Sequence, residues 1–116
     1  VAKPQGYPKA ARLRRRREFL TVQRDGRRRH TAHLVVIQRP APGALSRFGV
    51  TASKRIGNAV VRNRLKRVLR AVFRAQRGAL VPAVDVLVIA KPGADRLTYA
   101  QATDELLRAF DLHRGR

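Results

Sequence analysis

Few groups in this chain are able to do chemistry. Its carboxylates are Glu18, Asp25, Asp85, Asp95, Asp104, Glu105 and Asp111, its imidazoles are His30, His33 and His113, and it has no cysteine. General acid–base work needs such groups brought together in reach of one proton. Asp104 and Glu105 are neighbours, and neighbours on a helix point about 100° apart, so they suit solvent or the helix dipole and not an acid–base pair. Asp85 sits in a strand-forming run and reads as structural. His30 and His33 lack carboxylates at ligand spacing, so no metal site is expected, and without cysteine neither a thiolate site nor a disulfide can form. There is no Ser/His/Asp arrangement and no glycine-rich nucleotide loop, because Gly57 stands alone. The sequence assigns no catalytic residue.

Cations are what the chain has in excess. Lys and Arg number 27 against 7 Asp and Glu, a formal charge of +20, and 22 of those 27 are Arg. Guanidinium forks match phosphate oxygens and stack on bases, so the balance points to RNA or DNA. Between Ser53 and Arg77 no acid occurs at all. A solvated helix face interleaves both signs, since like charges three or four residues apart repel; a stretch that tolerates repulsion throughout implies a polyanionic partner. Val61, Leu65, Val68, Leu69 and Val72 share one side of a 3.6-residue period. Arg62, Lys66, Arg67, Arg70, Arg74 and Arg77 share the other, with Arg64 and Phe73 on the borders. Ser53-Lys54-Arg55-Ile56-Gly57-Asn58 leads into this helix. Backbone donors at a helix N-terminus favour anions, Gly57 permits close approach, Lys54 and Arg55 add charge and Asn58 can cap, so the loop is expected to seat a phosphate.

Several elements must position these groups. At 116 residues the chain makes one domain. Residues 1–13, with Pro4, Gly6 and Pro8, read as an extended basic tail; residues 14–113 as a single domain; residues 114–116 as a second tail. A short helix is expected over Arg14 to Arg24, with Phe19, Leu20 and Gln23 close together on its surface and Gly26 as its stop. The clusters Arg14 to Arg17 and Arg27 to Arg29 bracket it as flexible charge. Leu34-Val35-Val36-Ile37 forms the centre of a strand over His30 to Arg39, and residues 40–46 form a loop. Arg47 to Ala52 is a second strand, expected to pair with the first as a hairpin. The basic helix ends at Gly78, and Val84 to Ala90 is a third strand. Thr98 and Gln101 match a capping box, opening a last helix whose Ala102, Leu106, Ala109, Phe110 and Tyr99 face the sheet. The order is α-β-β-α-β-α, an α+β fold of the α-β sandwich kind. No run approaches the roughly 18 apolar residues of a membrane span, so a cytoplasmic protein with no membrane partner is expected.

Lys54-Arg55-Ile56-Gly57-Asn58-Ala59-Val60-Val61-Arg62-Asn63-Arg64-Leu65-Lys66-Arg67 closely resembles the signature of the bacterial ribonuclease P protein subunit, with Arg62-Asn63-Arg64 as its Arg-Asn-Arg core. Arg12-Leu13 with Glu18-Phe19 and Val22 resembles that family's first helix, Phe48-Gly49-Val50 with Ser53 its second strand, and Leu97-Thr98-Tyr99 the start of its last helix. The likeness covers roughly residues 12–112. It implies an α-β sandwich with a left-handed β-α-β crossover, an exception to the usual hand. It also implies a protein subunit of an endoribonuclease whose RNA subunit, with Mg²⁺, removes the 5′ leader of precursor tRNA to leave the mature 5′ end. The implied partners are that catalytic RNA and precursor tRNA, with no small-molecule substrate, and Mg²⁺ is held mainly by the RNA. Lys54, Arg55, Asn58, Arg62, Asn63, Arg64, Lys66, Arg67 and Arg70 become the residues that bind the catalytic RNA. Phe19, Gln23, Val35 and Ile37 become a cleft for the single-stranded leader. Gln23 departs from the pattern, standing where the family's second aromatic is expected; Tyr7 or an Arg plane is then the substitute for stacking. The alternative from charge alone is a structural RNA-binding protein of ribosomal type with no part in cleavage.

Overall fold

Seven regular elements build residues 11–110, the part described by the computed structural model. They are α1 (Arg16–Asp25), β1 (Arg27–His30), β2 (Leu34–Pro40), β3 (Arg47–Thr51), α2 (Ala59–Gln76), β4 (Val84–Ala90) and α3 (Tyr99–Ala109), with short 3₁₀ turns at Arg77–Ala79 and Ala94–Arg96. Tyr7, the tail up to residue 10, Asp111, His113 and residues 114–116 lie outside the described residues.

The four strands form one sheet in the order β1-β2-β4-β3. β1 pairs antiparallel with β2 and β2 with β4, while β3 runs parallel to β4. The expected β2–β3 hairpin is therefore corrected: β4 lies between them. The reason is burial. Val86, Leu87 and Val88 are inaccessible on both faces of the sheet, which suits a central strand. Parallel β3 and β4 are joined through α2, the crossover that parallel pairing requires.

β1 is a further addition, making the order α-β-β-β-α-β-α. Arg27-Arg28-Arg29-His30 has no apolar residue, yet its backbone pairs with β2 from Arg27↔Gln38 to His30↔Val35. An edge strand needs backbone partners more than a buried face. The fold also begins earlier than residue 14. Ala11 and Leu13 are buried, the Leu13 N–H donates to the Phe48 carbonyl at 2.9 Å, and Arg12 bridges to Phe48 alongside β3.

Alternation along the strands divides the core into two layers. On one face α1 covers Val35, Ile37 and Leu87 with Val22, joined by Leu13 and partly buried Phe19. On the other, Leu34, Val36, Phe48, Val50, Val86 and Val88 meet Leu65, Leu69, Val72 and Phe73 of α2 and Ala102, Leu106 and Ala109 of α3. Phe73, a border residue by periodicity, is fully buried and stacks on Phe48 with ring centroids 4.6 Å apart. Tyr99, expected to face the sheet, is 49% exposed because it is the first residue of α3. The starts of α2 and α3 are capped as their side chains require. Asn58 Oδ1 accepts from the Val61 N–H at 3.0 Å, and Thr98 and Gln101 exchange bonds of 3.0 and 3.1 Å.

One acid is not where its neighbours imply. Asp104 is exposed and pairs with Arg108 at 3.0 Å, but Glu105 is buried. Its carboxylate accepts from the Thr31 hydroxyl and from the His33 N–H at 3.0 Å, with His33 Nδ1 2.6 Å away. Residues 31–33, the turn between β1 and β2, are thereby fastened to α3.

Candidate nucleic-acid interface

The basic helix is positioned by its apolar side. Leu65, Leu69, Val72 and Phe73 are buried against the sheet and α3, so the opposite side must face out. Asn63, Arg64 and Arg67 are exposed, and Arg62, Lys66 and Arg70 are half-buried. Arg64 also has a structural role: its guanidinium donates to the carbonyls of Asp95 and Leu97, each at 3.3 Å. Arg62 Nε is enclosed and has no hydrogen-bond partner.

The loop before the helix is closed by its own turns. Three of its amides are used there: Arg55 donates to Ser53 Oγ, Ile56 to the Ser53 carbonyl and Gly57 to the Lys54 carbonyl. Beside them the exposed side chains of Lys54 and Arg55 bring charge to the start of α2. Gly57 has φ +153°, and a Cβ there would come within 2.9 Å of Val61. Glycine thus lets the loop close onto the first turn of α2.

A groove of about 520 Å³ runs beside β3. It is lined by Arg12, Leu13, Arg14 and Phe19, by Phe48 to Ala52, and by Lys66 and Arg70 of α2. A second recess of about 350 Å³ shares Arg14, Phe19 and Thr51 with it and adds Arg16, Leu20 and Gln23. Phe19 and Gln23 therefore do line a cleft. Val35 and Ile37 lie beneath α1 in the core, Ile37 with no exposure and Val35 with 9%. They support the helix that carries Phe19 and are not themselves open to a ligand. Arg12, Arg14, Gly49 and Thr51 were not among the expected cleft residues. Period-2 alternation puts Gly49 and Thr51 on one face of β3, but only knowing which face α1 covers makes that useful. Lys66 and Arg70, expected on the catalytic-RNA surface, also line the groove, so the two surfaces meet there.

An ion network lies next to this groove, outside its lining. Arg47 donates to fully buried Asp85 from Nε and Nη2, both at 2.8 Å, and from Nη1 to Glu18 Oε2 at 3.0 Å. Arg39 adds a 3.2 Å bond to Asp85. Asp85 raises the Arg47 pKa further above its ordinary value. The Arg15 and Arg14 amides, with Arg47, hold the Glu18 carboxyl below the usual carboxylate value.

A family model described as Ribonuclease P matches residues 7–113. The chain belongs to the ribonuclease P protein family. The ribonuclease P protein component of Citrifermentans bemidjiense is 43% identical over 104 residues, covering 90% of this chain and 89% of the relative. That of Dictyoglomus thermophilum is 35% identical over 107 residues, again covering 90% and 89%. Among solved structures, a Staphylococcus aureus RNase P protein aligns with TM-score 0.79 at 28% identity, covering 90% of this chain and 95% of that one. The Thermotoga maritima RNase P protein aligns with TM-score 0.77 at 30% identity, covering 90% and 98%. As a ribonuclease P protein component, the chain is an RNA-binding subunit of a tRNA-processing endoribonuclease in which RNA carries the catalysis. Among the described residues no helix is long and apolar enough to cross a membrane.

Proposed function

We propose that the outer side of α2 and its preceding loop, from Lys54 and Arg55 with Asn58 through Arg62, Asn63, Arg64, Lys66, Arg67 and Arg70, bind the catalytic RNA subunit in the cytoplasm. The groove beside Phe19 then holds the single-stranded 5′ leader of precursor tRNA. The observation that carries this reading is that Phe19, a base-stacking surface, lines one open groove together with Lys66 and Arg70. Stacking together with a cationic track is how single strands are held without sequence preference.

The protein's part is to screen repulsion between two RNAs and to hold the leader. Mg²⁺ belongs mainly to the RNA in this reading, since five of the six described carboxylates already serve a basic group of the protein. Glu18, Asp25, Asp85, Asp104 and Glu105 are each paired with an Arg or a His. Among the described residues no group of three His, Asp or Glu is placed around a common point for a metal. Reconstitution with the RNA subunit tests the whole proposal. The expected outcome is a gain in precursor-tRNA cleavage at low Mg²⁺, with no cleavage by RNA-free protein; no gain over RNA alone would overturn it.

A further inference from the structure

Arg39, Asp85 and Arg47 lie side by side on three neighbouring strands, in register as Arg39↔Asp85 and Arg47↔Asp85. Asp85 has no exposure. A carboxylate so buried must be matched by cations, and it fixes the Arg47 guanidinium through two 2.8 Å bonds. The remaining Arg47 donor, Nη1, leaves the sheet and reaches Glu18 in the first turn of α1 at 3.0 Å. The other oxygen of Glu18 takes the amides of Arg14 and Arg15 at 2.9 and 3.0 Å. One guanidinium therefore ties the rigid centre of the sheet to the start of α1.

Phe19 is the next residue of α1 after Glu18. Its ring lies over Gly49, where a Cβ would come within 3.0 Å of Phe19 Cζ. Gly49 is two residues along β3 from Arg47 and on the same face. Arg14, whose amide Glu18 holds, lines both recesses. Arg47 lines neither. We propose that Arg47 is the positioning residue of the leader cleft: by bridging Asp85 and Glu18 it sets the height and rotation of α1, and so the place of the Phe19 ring and the Arg14 side chain against the leader. This rests on the reading of the cleft as the leader site. A fork is required, because one group must serve two carboxylates at fixed angles, and a lysine ammonium lacks that geometry.

The test uses holoenzyme reconstituted with the RNA subunit and carrying Arg47→Lys, Glu18→Gln or Phe19→Ala. Affinity is measured for precursor tRNA with its leader, for the same tRNA without it, and for assembly of protein with RNA. Arg47→Lys is expected to lose roughly five-fold of the affinity that the leader adds, about the size of one weakened stacking contact. Assembly and leaderless affinity should stay unchanged, which a general loosening of the fold would not allow. Adding Arg47→Lys to Phe19→Ala should cost little more, since both act through one ring. Glu18→Gln leaves the Arg47–Asp85 pair intact and keeps an oxygen for the Arg14 and Arg15 amides, so it carries the test if Arg47→Lys does not fold. Full leader affinity in both variants, or equal losses with and without the leader, overturns the proposal. If Phe19→Ala itself leaves the leader's contribution intact, the cleft reading falls and the positioning role with it.

Discussion

Gln23 and Phe19 are one helical turn apart on α1 and line the same recess with Leu20, Arg14 and Arg16. With the leader in this recess as proposed, an aromatic ring at position 23 would add a second platform at little cost to the core, because Gln23 is only half-buried. Gln23→Tyr is expected to strengthen leader binding by about 1 kcal/mol, the lower end for one stacked base, and a binding titration against leader-bearing and leaderless tRNA measures it. The positions of Phe19 and Gln23 were readable because helical spacing alone brings them together. Burial of Val35 and Ile37 was not. Period-2 alternation puts them on one face but does not say that α1 lies directly on that face. Glu105 shows the same limit: beside Asp104 in sequence it looks solvated, and only the turn at Thr31 and His33, more than 70 residues away, makes it a buried anchor.

At the scale of elements, α2 was legible almost to the residue because its signals are local. Asn58 caps it and the apolar period runs through it to Val72. β1 and the β3–β4 pairing were hidden for the opposite reason. A strand of three arginines and a histidine has no pattern of its own, and a parallel partner across an 18-residue helix is a long-range choice. The apolar side of α2 carries the basic side, so the two are linked energetically. Leu69, fully buried between sheet and helices, is expected to cost about 2–5 kcal/mol when cut to Ala, read as a drop in the denaturant midpoint. Where the variant remains folded, RNA affinity should be kept, because none of the outer cations is altered.

Across the whole molecule, charge sets the response to solution conditions. Burial raises the Glu105 pKa, but hydrogen bonds from Thr31 and His33 outweigh it and the net shift is downward. Glu18 is shifted down as well. For a carboxyl with a lowered folded-state pKa, the unfolded chain binds the proton more readily. The stability these two contribute is therefore present above the ordinary value of 4.5 and is lost as pH falls through their folded-state values. Thermal melts over that range should show a falling midpoint, and Glu105→Gln should flatten the fall. Salt acts on the partner side. Removing Arg67 and Lys66 together should lower the slope of log affinity against log salt by roughly 0.7–0.9 per cation engaged with phosphate, measured by RNA titration at several salt concentrations.

β1 stands at the open rim of the sheet, with Arg27 and Arg28 exposed and no strand beyond it among the described residues. A sheet edge of this kind invites a second copy to add its own strand, and exposed like charges such as Arg27 and Arg28 are a guard against that. The guard is electrostatic, so it weakens as the screening length shrinks to about 3 Å near 1 M salt. The RNA-free protein is thus expected to be best dispersed in dilute buffer and to self-associate in concentrated salt, while Arg27→Ser with Arg28→Ser self-associates at lower salt. Light scattering across a salt series reads the difference, and identical onset for both chains would show that the rim is guarded by something other than charge.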